Sequence, residues 1–233
     1  MNVDAQFKLE DLQLVILPGK GPSVNQLELY NKVYGCWREL WSTALKNEIL
    51  QVETDLYSND FTRQDEVLAL FYQGECAGLC CLRSVDFDEA ATKDDAYFTK
   101  WPEFTVRKLH SYGKRVLICS QLTVSPHFRR NYLGISWKDL LVALAARRLL
   151  DTECEVMVGA VRRVRGMEKA TYRSGFIPLM IDIPFIGKES ADLVAYLKEK
   201  ALPSEVKSIA NIVDSLFPHS VVTAQHKGVK YAA

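Results

Sequence analysis

The sequence carries no surplus of either charge: 29 Lys and Arg stand against 29 Asp and Glu. A general nucleic-acid binder or a polybasic membrane binder needs an excess of cations, so neither is expected, and any basic patch must be local. No apolar run reaches the ~18 residues that a membrane span requires. There is no CxxC pair and no Cys/His cluster at zinc spacing, so no metal is expected. The six cysteines are scattered, and Cys80, Cys81 and Cys119 lie inside apolar, strand-like runs. They read as small buried hydrophobes of a reducing compartment. The opening stretch, MNVDAQFKLEDLQLVIL, lacks the basic segment and the long apolar core of a secretory signal. The expectation is a cytoplasmic protein. Repeats, low-complexity tracts and a clear interdomain linker are also missing, which leaves one domain over residues 1–233.

What is present is a regular alternation of elements. Leu12 to Leu17 reads as a strand that ends at the PGKGP turn. Ser23 and Gln26 have the spacing of a capping box and open a helix over Val24 to Lys46. Tyr30, Val33, Trp37, Leu40, Trp41 and Ala44 recur along it at helical spacing, as a core stripe or as the wall of an apolar pocket. Leu68 to Tyr72 and Ala77 to Val85 predict a hairpin across Gln73-Gly74-Glu75. The long segment from Asp86 to Gly113 is expected to be irregular with a short helix, and to act as a lid. Asp86, Asp88 and Glu89 at its start face a bound molecule or simply face solvent.

A strand over Val116 to Val124 follows, then a turn, a helix over Gly134 to Leu150 and a nearly all-apolar strand over Glu155 to Val161. Trp137, Leu140, Leu141 and Leu144 mark the buried face of that helix. A short helix from Gly166 to Ser174, stopped by Gly175, precedes a strand over Ile177 to Ile186. Two amphipathic helices are expected after it, Ser190 to Ala201 and Ser204 to Phe217, with a final strand at Val221 to Ala224. The fold class is therefore mixed α+β around one sheet.

The turn between Val124 and the helix concentrates the chemistry. It holds Arg129 and Arg130, then Asn131, Tyr132 and Leu133, then Gly134 and Ile135. A helix start leaves backbone N–H groups without partners and, with the macrodipole, attracts anions. Glycine allows a phosphate to approach the backbone, and arginine adds charge-assisted hydrogen bonds. Strand, arginines, glycine and helix in that order suit a phosphate-bearing ligand.

The pattern Val124-x-Pro126-x-x-Arg129-x-x-x-x-Gly134, an amphipathic helix, a buried strand, a short helix and Gly175-Phe176 resembles the GNAT superfamily of N-acyltransferases. The resemblance covers residues 65 to 185, with the upstream hairpin included. It implies a central mixed, mostly antiparallel sheet flanked by helices, here with a helical C-terminal extension at 189–217. The family's loop usually reads Arg/Gln-x-x-Gly-x-Gly, and Tyr132 stands at its first glycine. RRVRG occupies the place of a common asparagine, and Tyr172 lies one residue closer to Gly-Phe than is usual. The long first helix and the approach to the hairpin are similar to the branch of N-acyl amino acid synthases and acyl-homoserine-lactone synthases.

The resemblance implies an N-acyltransferase. Its donor would be acetyl-CoA, another acyl-CoA or the phosphopantetheine of an acyl carrier protein, and its acceptor a small amine or amino acid. Leu122, Thr123 and Val124 would pair with the pantetheine arm. The turn from Arg129 through Ile135 would hold the phosphates, and Tyr172 would either protonate the leaving thiolate or pack on the sheet. Arg162, Arg163 and Arg165 would meet a carrier protein or the CoA phosphates, or lie in a solvated loop. His110 and His127 read as surface residues and Cys119 as a buried thiol. A catalytically silent relative serving as a ligand-binding or interaction domain remains the alternative.

Overall fold

The computed structural model describes residues 7–44, 56–129, 132–163, 166–185 and 189–222. In chain order the elements are β1 (Leu12–Pro18), α1 (Leu27–Ala44), α2 (Asn59–Thr62), β2 (Glu66–Tyr72), β3 (Glu75–Asp86), α3 (Ala90–Lys93) and α4 (Glu103–His110). They continue with β4 (Arg115–Val124), α5 (Trp137–Leu149), β5 (Val156–Arg162), α6 (Met167–Arg173), β6 (Ile177–Pro184), β7 (Ser190–Leu197), α7 (Lys207–Leu216) and β8 (Val221–Val222). The strands form one sheet in the order β6-β7-β5-β4-β3-β2-β1-β8, antiparallel except for the pairs β1/β8 and β4/β5. No helix among the described residues is long and apolar enough to cross a membrane.

The β2–β3 hairpin follows from its turn. Tyr72 pairs with Glu75, so Gln73 and Gly74 alone make the loop, and both have positive φ, 50° and 78°. Two left-handed residues match the twist of the flanking strands, and glycine takes that conformation without steric cost. The capping box at Ser23 and Gln26 is formed; it sits on one 3₁₀ turn, from which α1 continues.

Helices cover both faces of the sheet, and this explains why its strands read as almost continuous apolar runs. On one face Leu14, Leu68, Leu117 and Met157 pack under α5 and α7. On the other, Val15, Val67 and Leu79 meet Trp37 and Phe61, while Ile118 and Val158 meet Phe98 and Trp101 of the β3–β4 connection. Helix α5 is buried on almost every side, from Leu140 through Ala146, because α6 and α7 close over the face that the sheet leaves open.

One helix start and one element type depart most from expectation. Helix α5 begins at Trp137, three residues after Gly134, because Tyr132–Gly134 form their own tight turn. Residues 190–201, expected as an amphipathic helix, are instead strand β7 followed by a 3₁₀ turn at Lys198–Lys200. Seven of the eight β7 residues are buried, since the strand lies between β5 and β6. A short apolar run buried on two faces has no periodicity that separates strand from helix. Of the two expected C-terminal helices only the second, α7, forms, and it packs on α5.

Candidate active site

The site is made by a parting of strands. Parallel β4 and β5 pair only at Val116↔Val156, Leu117↔Met157 and Ile118↔Val158. Beyond that, β4 stays with β3 and β5 with β7, so the facing edges of 119–124 and 159–162 separate. Backbone edges without ladder partners call for another source of hydrogen bonds. The gap is a cavity of about 530 Å³. Val142, Ala145, Met167 and Thr171 close it on the α5/α6 side, and Asp95, Tyr97, Lys100 and Trp101 on the other. The β3–β4 connection thus covers the cavity as a lid.

Strand β4 bends at the gap. Leu79 pairs with Thr123 and Cys81 with Ser120, so Gln121 and Leu122 oppose the single Cys80. This is a β-bulge, and Gln121 takes φ 54°, an uncommon conformation for a side-chain-bearing residue. Two indoles from α1 hold it. Trp37 Nε1–H donates to Gln121 Oε1 at 2.6 Å, and Trp41 Nε1–H donates to the Gln121 carbonyl at 3.3 Å. The aromatic stripe of α1 therefore divides its roles: Trp37 is fully buried core, and Trp41 lines the cavity.

The turn after β4 is stapled to the strand by Arg129, whose Nε–H donates to the Val124 carbonyl at 3.0 Å. Arg130 and Asn131 lie outside the described residues. Leu133 and Gly134 both have positive φ, 57° and 74°, and Trp137 Nε1–H donates to the Tyr132 carbonyl at 2.9 Å. The Tyr132 ring folds back against His127 and Phe128, with centroids 4.6 and 5.4 Å away, and does not line the cavity. Ser136, the N-cap of α5, makes no capping hydrogen bond, because its hydroxyl is committed to Asp139. Buried Asp139 also accepts from Arg173 at 2.7 and 3.0 Å, tying α6 to the start of α5. The first amides of α5 are left without a side-chain cap, and space is open where a Gly134 side chain would be.

Among the sequence-derived candidates, Leu122 lines the cavity, and Thr123 and Val124 continue the same strand edge. Ile135 follows the turn, and its N–H donates to the Tyr132 carbonyl at 3.2 Å. Helix α6 turns Met167 and Thr171 to the cavity. Its Tyr172 donates to Asp192 Oδ2 at 2.6 Å, and burial together with this bond to a carboxylate pushes the phenol pKa up. Arg162 pairs with Glu189 at 2.5 and 2.6 Å, and Arg163 with Asp192 at 3.2 Å; Arg165 lies outside the described residues. Asp88 binds Lys114 at 2.8 Å, away from the cavity lining, and His127 pairs with Glu75 at the surface. Cys119 is half-buried and lines the gap.

The carboxylate that does reach the cavity is Asp95. Arg83 donates to it at 2.6 and 3.0 Å, and the Tyr97 N–H at 2.8 Å. The Arg83 hydrogen bond holds the Asp95 pKa below its ordinary value, against an opposing effect of burial. Its signal in the sequence was Arg83 itself, a lone cation late in a buried strand that needs a carboxylate partner. Tyr97 packs against Phe98 and Trp101, with centroids 5.2 and 5.4 Å away. Its hydroxyl is sealed from solvent and has no hydrogen-bond partner among the described residues. Leaving such a group unpaired costs about 1–3 kcal/mol.

No protein-family model matches the sequence, and no curated protein sequence matches it. Solved structures do. A mosquito arylalkylamine N-acetyltransferase-like protein, 5b, aligns over 80% of this chain and 99% of its own, at 11% identity and TM-score 0.56. BjaI, a CoA-dependent acyl-homoserine lactone synthase solved with SAM and isopentyl-CoA, aligns over 91% and 92% at 13% identity and TM-score 0.55. FeeM, an N-acyl amino acid synthase from uncultured soil microbes, aligns over 81% and 91% at 13% identity and TM-score 0.52. At these identities the likeness is one of fold, and the fold that this chain shares with them is the GNAT fold.

Proposed function

We propose that the protein is an N-acyltransferase that moves an acyl group from a pantetheine thioester, most simply an acyl-CoA, to the amine of a small molecule or amino acid. The observation that carries this reading is the gap between β4 and β5, which starts after three paired residues and opens a cavity of about 530 Å³. A pantetheine arm supplies amides for the β4 edge at Leu122, Thr123 and Val124, as an added strand would. The turn from Arg129 through Ile135, with its left-handed residues and the uncapped start of α5, receives the phosphates. Structures of this fold that carry acetyl-CoA or isopentyl-CoA support the choice of donor.

The chemistry is direct transfer. A neutral amine attacks the thioester carbonyl carbon, and the carbon–sulfur bond breaks as the amide forms. A backbone N–H at the Gln121–Leu122 bulge stabilises the negative charge that develops on the carbonyl oxygen. The apolar wall of Ile118, Val142, Ala145 and Val194 favours an acyl chain longer than acetyl. The test is thiol release from acetyl-, butyryl- and long-chain acyl-CoA over a panel of amines and amino acids. Amine-dependent release is expected, fastest with a longer chain; binding of CoA without release under any pairing would favour a silent ligand-binding domain.

Tyr172 is assigned the role of fixing α6 to β7 through Asp192. Tyr172→Phe is expected to cost about 1.5–3 kcal/mol in urea unfolding, as for a hydrogen bond to a charged group. Its kcat should change less than about tenfold, whereas losing a general acid costs roughly 10²–10⁴. A large kcat loss at unchanged stability would return Tyr172 to the position of acid.

A further inference from the structure

We propose that the acceptor is an amino acid, and that Lys100 and Arg63 read its carboxylate on the lid side of the β4–β5 gap. This inference rests on the acyltransferase reading above and narrows its acceptor. The charge of the cavity is one-sided. On the α5/α6 side it is lined by Val142, Ala145, Met167, Thr171 and Val194, none of them charged. On the other side stand Arg63, Arg83, Lys100 and Arg162. Strand alternation places two of these cations. Arg83 shares its face of β3 with Val85, and Arg162 its face of β5 with Val158 and Ala160, all packed in the cluster that Phe98 and Trp101 of the lid complete. Lys100 lies in the lid between Phe98 and Trp101, and Arg63 directly follows α2.

The donor comes from the opposite side, because Tyr132, Leu133 and Ile135 of the turn pack on the same core cluster as α5. In direct transfer the amine and the thioester meet in the gap, so the acceptor enters from the lid side, among the cations. Two of those charges are already matched. Asp95, the carboxylate of the lining, takes hydrogen bonds from Arg83 at 2.6 and 3.0 Å, and Arg162 pairs with Glu189. The other two are not. Arg63 reaches Asp60 only at 3.4 Å, and its side chain is 58% exposed. Lys100 is exposed and has no ion-pair or hydrogen-bond partner among the described residues. An acceptor that brought only an ammonium group would find the carboxylate taken and two cations facing it. An amino acid brings a carboxylate to both, in charge-assisted hydrogen bonds. The same cations disfavour the protonated form of a nearby amine, which helps to supply the neutral nucleophile that attack requires.

The experiment compares thiol release for each amino acid of a panel with that for the amine lacking only its carboxylate, such as phenylalanine and phenethylamine. The unaltered protein should favour its best amino acid over the matched amine by at least about tenfold in kcat/KM, as for one charge-assisted hydrogen bond. Lys100→Met keeps much of the side chain's length and removes its charge. It should lower kcat/KM for the amino acid about tenfold, mainly through KM, and leave the matched amine within about threefold. Arg63→Met should act in the same direction, Lys100→Glu should erase the preference, and Lys100→Arg should keep it. Because Lys100 is exposed, its variants should melt as the unaltered protein does in differential scanning calorimetry. They should also bind coenzyme A with unchanged affinity in titration calorimetry. Equal turnover of amino acid and matched amine by the unaltered protein would overturn the inference, and so would an unchanged preference in Lys100→Met. Weaker coenzyme A binding by Lys100→Met would overturn it as well, because Lys100 would then serve the donor. Failure of the unaltered protein to bind coenzyme A, or to release thiol with any acceptor, would instead remove the acyltransferase reading, and this inference with it.

Discussion

Gly134→Trp is expected to weaken coenzyme A binding by about a hundredfold or more in titration calorimetry. The estimate comes from losing two charge-assisted hydrogen bonds of about 1.5–3 kcal/mol each. A Cβ added at Gly134 meets no protein atom within 4 Å, so the fold leaves room for a side chain to begin there. The indole projects into the space at the head of α5 that the phosphates need. Gly134 also has φ 74°, and any side chain there carries a strain of about 1–3 kcal/mol. Gly134→Ala separates the two effects. It shares the strain but not the bulk, and should lose stability while keeping most of its affinity. If the Trp variant binds coenzyme A as well as the unaltered protein does, the turn is not the phosphate site.

Trp37→Ala is expected to cost about 3–5 kcal/mol in urea unfolding, the range for truncating a fully buried aromatic residue. Trp37 is 0% exposed and packs on Tyr34 and Phe61, with centroids 5.6 and 5.3 Å away. Its indole N–H is also the donor that holds Gln121 in the bulge, so the variant should lose activity even at temperatures where it stays folded. Trp37→Phe fills much of the volume but cannot donate. It should cost less stability, about 1–3 kcal/mol, while still releasing the bulge. A loss below about 1 kcal/mol for Trp37→Ala would contradict the packing described here.

How much of this was legible beforehand can be traced residue by residue. The hairpin at Gln73-Gly74 and the capping box at Ser23 and Gln26 were, because local chemistry decides both. So was the mixed sheet, through its long apolar strands. Strand β7 was not, because SADLVAYL is short, largely apolar and buried on two faces, and its one charged residue reads as the exposed side of a helix. That residue, Asp192, is 1% exposed and accepts hydrogen bonds from Tyr172, Arg163 and the Asp182 amide.

The turn and the β4 edge were legible as local structure, because glycine, arginine and a following helix are adjacent in sequence; their part in binding is the proposal made above. The lid was legible as a region but not as residues. Asp86, Asp88 and Glu89 drew attention because they follow the hairpin, while Asp95 and Tyr97 face the cavity only through contacts with Arg83, Phe98 and Trp101. The bulge at Gln121 depends on two tryptophans 84 and 80 positions away, a spacing that no local pattern contains.

The most direct test of the central claim is a crystal structure with coenzyme A. Pantetheine amides should pair with the β4 edge from Leu122 to Val124, and the phosphates should sit against the turn at Leu133 and Gly134. A structure in which coenzyme A binds elsewhere, with the β4–β5 gap filled by water alone, would contradict it.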